Sequence, residues 1–137
     1  LNEFRVIAEI QKIEEYPSKI LLPADLISKE ALGNIDTKRV LNHSVRIESN
    51  QFKSNENDSV IPYEVVFAYI FTALLLDKPN IIYFFGLDGY FKNDSKQNQM
   101  LEIFKFIEKA NSSEIPIFSL TNTSYPVNQK SIYGPQV

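Results

Sequence analysis

The chain has no cysteine and a single histidine, His43. Without thiols there can be no disulfide, no cysteine nucleophile and no cysteine zinc site, which accords with a reducing, cytoplasmic setting. With one imidazole, a histidine metal cluster cannot form within one chain, and a Ser-His-Asp triad would have to use His43 itself. Block charge is also missing. The net charge is −3 and no basic stripe appears, so nucleic acid is not an expected partner. The longest apolar run, residues 65–76, falls short of the roughly 20 residues that cross a bilayer, so no membrane span is expected. The first residues lack the basic start and apolar run of a signal peptide. The chain begins at Leu1, and the expectation is a C-terminal piece of a longer protein.

What is present reads as one domain of 137 residues, long enough to bury a real core. Phe4, Ile7 and Ala8 recur at helical spacing, with Ile10 and Ile13 widening the stripe, and predict a helix over residues 1–15. Tyr16-Pro17 stops it. Residues 19–22 form a short apolar run ended by Pro23, an expected strand. Residues 24–32 read as a short helix stopped by Gly33-Asn34. Residues 40–48 read as one strand, in which Val45 and Ile47 alternate with Ser44 and Arg46. Residues 49–59 are polar and turn-rich, hence a loop.

Pro62 is a suitable first residue for a helix, and residues 63–76 are apolar nearly all round, the pattern of a helix buried at a domain centre. Residues 81–85 form a continuous apolar run, as in a central strand covered on both faces. Met100, Leu101, Phe104 and Ile107 give helical spacing over residues 95–110. Residues 115–120 are the last expected strand, and residues 121–137 are irregular. Strands alternating with helices predict an α/β fold, a three-layer Rossmann-like sandwich with a mainly parallel sheet.

Ligands in such sheets sit outside the carboxyl ends of the strands, which selects two segments. The first is Gly86-Leu87-Asp88-Gly89-Tyr90. Gly86 and Gly89 permit positive φ and close backbone approach, Asp88 could bond a sugar hydroxyl, and Tyr90 and Phe91 offer ring faces. The same residues would also serve a plain strand-to-helix turn. The spacing is not that of a dinucleotide fingerprint. The second segment is Ser119-Leu120-Thr121-Asn122-Thr123-Ser124-Tyr125. Its hydroxyls could bind phosphate or sugar, or simply satisfy the local backbone. Asp94 or Ser95 is an expected N-cap, and the helix start beside the first loop could receive an anion. His43 has no partner identifiable by spacing and reads as structural or surface. Glu14, Glu15, Glu102 and Glu108 read as solvated helix pairs, with no carboxylate pair suited to glycoside chemistry.

Taken together, these motifs resemble the domain that follows the aldolase-like barrel in bacterial proteins of the HMG-CoA lyase/4-hydroxy-2-oxovalerate aldolase superfamily, found among surface-polysaccharide genes. The matching residues are Leu21-Leu22-Pro23, Pro62 with Ala68-Tyr69, Gly86-Leu87-Asp88-Gly89-Tyr90, Asp94-Ser95-Lys96-Gln97 with Met100, residues 119–125 and Ser131-Ile132-Tyr133. Departures stand at Leu87, Lys96, Gln99 and Asn122, where that family has Phe, Arg, Glu and Pro. The resemblance implies an upstream barrel as partner, lyase chemistry confined to that barrel, and no metal or cofactor in this domain. Two facing polar loops with no complete catalytic set lead to the expectation of an accessory ligand site for a nucleotide-sugar or sugar acid, built from Gly86, Asp88, Gly89, Tyr90, Asp94, Gln97, Ser119, Thr121, Thr123 and Tyr125. Residues 62–90 are also similar to the family 42 sialyltransferases, which implies that Gly86, Asp88 and Tyr90 lie near a nucleotide-sugar. A transferase would need His43 or Asp88 as its base. A purely structural or oligomerising module is the third expectation.

Overall fold

The computed structural model describes Lys12 and residues 17–33, 35–131 and 133. The helix expected over residues 1–15 therefore lies outside the described residues, Lys12 apart. The fold is α/β, with helices packed on small sheets that include parallel pairs. Strand β1 (Ile20–Leu22) pairs in parallel with β2 (Val40–Asn42). Strand β3 (Ser44–Ile47) lies parallel to β5 (Asp58–Ile61), whose other edge takes β4 (Lys53–Ser54) in antiparallel register. Strands β6 (Ile82–Phe84), β7 (Ile117–Ser119) and β8 (Asn128–Gln129) form a third sheet, parallel throughout, with β7 in the middle.

Several expected elements are redrawn. Residues 24–32 are not one helix. A 3₁₀ turn (Ala24–Leu26) ends in extended backbone at Ile27, and α1 (Lys29–Leu32) follows. Gly33 ends α1 at φ +56°, with its N–H on Lys29 O, in the role expected of it. The single strand expected over residues 40–48 breaks at His43. The His43 N–H goes back to Leu22 O, its ring turns into the interior, and the chain changes sheet between β2 and β3. The loop expected over residues 49–59 contains β4 and the start of β5. Asp58 there bonds Asn55 and Arg46, which hold its carboxyl below the usual range.

The apolar helix α2 (Val66–Asp77) starts later than Pro62, after an extended Val65, and ends on Lys78 in the left-handed region. It is not buried all round. Ala68, Phe71 and Thr72 face inward, whereas Val66 is 72% exposed and Ile70 and Leu76 are also exposed. Strand β6 likewise is not covered on both faces. Among the described residues only β7 pairs with it, which makes it an edge strand there, and Tyr83 and Phe85 are exposed. An apolar run alone does not separate a two-sided strand from an edge strand with an aromatic outer face.

Helix α3 (Ser95–Ala110) forms where its period predicts, with Met100, Ile103, Phe104 and Ile107 buried. Phe67 of α2 centres the core. Its ring lies 4.9 Å from Phe71, 5.2 Å from Phe104 of α3 and 6.2 Å from Phe84 of β6. Phe104 in turn stacks on Tyr125 at 5.1 Å. This aromatic cluster ties α2 and α3 to Phe84 at the end of β6 and to Tyr125 beyond β7, while α2 also packs on β4 and β5.

Candidate functional site

Strands β6 and β7 are parallel neighbours, so their carboxyl ends release residues 86–90 and 119–125 side by side. The two segments are joined by hydrogen bonds at nearly every step. The Gly86 N–H donates to Thr121 Oγ1 at 2.9 Å. Thr123 Oγ1 donates to Leu87 O at 2.6 Å and accepts from the Tyr125 N–H at 3.2 Å. The Ser124 N–H donates to Asp88 O at 2.9 Å. Gln97, from the first turn of α3, ties both segments together. Its Oε1 accepts from the Tyr90 N–H at 2.9 Å, which fixes the amide orientation, and its Nε2 then donates to Ser124 Oγ at 3.1 Å.

The glycines answer to this geometry. Gly86 adopts φ +67° with open space where a Cβ would stand. Gly89 adopts φ +120°, and a Cβ there would collide with Ser124 Oγ. Asp94 caps α3 by accepting the Lys96 N–H at 2.8 Å, which leaves the helix start already satisfied by a carboxylate.

The residues expected at a ligand site thus fall into two groups. Gln97, Ser119, Thr121 and Thr123 spend their polar atoms on the loops themselves; the buried Ser119 Oγ donates to Thr121 O at 2.7 Å. Asp88 and Tyr90 face outward from the rigid frame, and Tyr125 lies beneath it, 5% exposed. Beside Tyr90 stand Phe91, 89% exposed, and Lys96, whose ammonium sits 5.7 Å from the Tyr90 ring centre. The contribution of Lys96 was not legible, because it depends on how the N-cap turns the helix toward the loop. Lys130, 4.3 Å over the Phe118 ring on the outer sheet face, was missed because β8 is too short and polar to read as a strand.

His43 is placed elsewhere, and its chemistry is fixed by proton accounting. Its Nε2 lies 2.7 Å from Ser59 Oγ, which lies 2.5 Å from Thr72 Oγ1, and Thr72 donates to the Tyr69 carbonyl at 2.7 Å. A carbonyl only accepts, so the Thr72 proton is spent there. Ser59 must then donate to Thr72, and His43 Nε2 must donate to Ser59. A nucleophilic serine needs the opposite direction, giving its proton to the imidazole. His43, Ser59 and Thr72 are all buried, and the three form a structural link from the break between β2 and β3 through β5 to α2, rather than a catalytic dyad. Among the described residues, no three His, Asp or Glu side chains converge as a metal site, and no helix is long and apolar enough to cross a membrane.

No protein-family model matches the chain, and neither a curated protein nor a solved structure matches it.

Proposed function

We propose that the joined loops after β6 and β7 bind a nucleotide-sugar or sugar-acid ligand. In this reading the chain is an accessory domain, completed as a three-layer Rossmann-like sandwich. It serves an aldolase-like barrel of the same parent protein in cytoplasmic steps of cell-surface polysaccharide synthesis. Lyase chemistry belongs to the barrel, and this domain contributes recognition.

One observation carries the reading. Two loops at the carboxyl ends of neighbouring parallel strands are held rigid by their own side chains, and they leave Asp88, Tyr90 and Phe91 facing outward. A carboxylate accepts from sugar hydroxyls, and aromatic faces pack on the apolar side of a sugar or base. Rigid presentation reduces the ordering cost of binding. The resemblance of the ordered motifs to polysaccharide-cluster proteins supports the same ligand class.

The test is calorimetry of the full chain with CMP-N-acetylneuraminic acid and UDP-N-acetylglucosamine. Binding of at least one is expected, and Asp88→Ala combined with Tyr90→Phe should weaken it by tenfold or more. Equal affinity in the double variant, or no heat with either compound, would remove the reading.

A further inference from the structure

Ser124 keeps a hydroxyl proton that the frame of the two loops does not use. It stands outside the ligand set expected from the sequence, and it is exposed. Its Oγ accepts from Gln97 Nε2 at 3.1 Å, its N–H donates to Asp88 O at 2.9 Å, and among the described residues no acceptor takes its hydroxyl proton. The other hydroxyls near the strand end are committed. Ser119 donates to Thr121 O, Thr123 donates to Leu87 O, and Thr121, half-buried, takes the Gly86 N–H. The Ser124 hydroxyl rests directly on Gly89, where a Cβ would collide with its Oγ. The missing side chain of Gly89 thus gives this exposed hydroxyl a fixed place where the loops meet. Gln97, which holds it, also holds the Tyr90 N–H, so the donor and the aromatic residue hang on one amide.

We propose that Ser124 Oγ–H is the specificity-determining donor of the ligand site, given to the carbonyl oxygen of an acetamido group, so that the loops select N-acetylated sugars. This rests on the loops being a sugar site, as proposed above. Ser124 Oγ already serves as an acceptor toward Gln97, so its remaining offer is a proton, and a carbonyl oxygen is a group that only accepts. Gln97 is neutral and the start of α3 already carries the Asp94 carboxylate, so a neutral oxygen suits the position better than an anionic one. The acetyl methyl supplies an apolar partner for the exposed rings of Tyr90 and Phe91. A donor held in place before the ligand arrives loses little freedom on binding.

The experiment is calorimetry of the full chain, wild type and Ser124→Ala, with two pairs of compounds. UDP-N-acetylglucosamine is paired with UDP-glucose, and CMP-N-acetylneuraminic acid with CMP-ketodeoxynonulosonic acid. In each pair a hydroxyl replaces the acetamido group. The wild type should bind the acetamido member of at least one pair about tenfold or more tighter than its partner, through the hydrogen bond and the packed methyl together. Ser124→Ala should weaken that acetamido compound by about three- to tenfold, the worth of one neutral hydrogen bond, and its partner by no more than about twofold. Loosening of the frame through Gln97 would weaken both members equally, so the ratio within a pair reports the contact alone. Equal losses within the pair, or no loss, would overturn the proposal. So would a wild type that binds both members alike or prefers the hydroxyl analogue, and each of these results leaves the two-loop site standing. Failure of the wild type to bind any of the four compounds overturns the proposal together with the site.

Discussion

Gly89 and Gly86 stand three residues apart in one loop, yet different forces hold them to glycine. At Gly86 only the backbone matters, because φ is +67° and a Cβ would meet nothing. Alanine there should cost about 1 kcal/mol, the ordinary penalty for a side chain in the left-handed region. At Gly89 the backbone lies at φ +120°, and a Cβ would also strike Ser124 Oγ. Relief means moving Ser124 away from Gln97, which breaks the link between the two loops. Gly89→Ala should therefore cost about 2–4 kcal/mol, the strain plus a lost hydrogen bond. Urea midpoints of the two variants measure the difference directly, and equal midpoints would show that the loops are not locked as described. The presence of both glycines was plain in the sequence. Which of them is pinned by a neighbour was not, because Ser124 reaches Gly89 only after β7 places it there.

At the scale of elements, legibility followed how each element satisfies its polar groups. Helix α3 could be read because Met100, Phe104 and Ile107 keep the helical period and Asp94 is a local cap. The two loops could be read because they end apolar runs. Strand β5 could not. Ser59 is polar in sequence and fully buried in the fold, and only its bonds to His43 and Thr72, 16 and 13 residues away, make that burial tolerable. The same link explains why the expected strand over residues 40–48 breaks, since His43 must turn inward to reach Ser59. The link predicts that Ser59→Ala destabilises the protein by about 1–3 kcal/mol, by stranding the His43 Nε2–H. It also predicts that neutral His43 carries its proton on Nε2. With one histidine in the chain, nitrogen-detected NMR of the imidazole is unambiguous. A proton found on Nδ1 would reverse the chain of donors and reopen His43 as a base.

For the whole molecule, three tyrosines whose pKa values the fold raises make stability fall at alkaline pH. Tyr69 donates to His43 O, and burial pushes its pKa up to about 12. Tyr63, which donates to Glu102, and the buried Tyr125 are raised as well. An unfolded tyrosine releases its proton near pH 10. Between that pH and the raised values the folded state holds more protons than the unfolded state, so stability falls as pH rises. Below pH 10 both states keep these protons, and the contribution is complete and constant. Denaturation midpoints should thus be flat with respect to these groups from pH 8 to about 9.5, and then decline toward pH 12. Tyr69→Phe should lower stability at pH 8 by removing the bond to His43 O, yet show a shallower decline above pH 10 than the wild type. Every other ionisable group is common to both proteins, so the difference between the two slopes isolates Tyr69. Parallel declines would mean that Tyr69 ionises as freely in the fold as outside it. They would also mean that α2 does not seal the region around His43, where β3 and β5 meet.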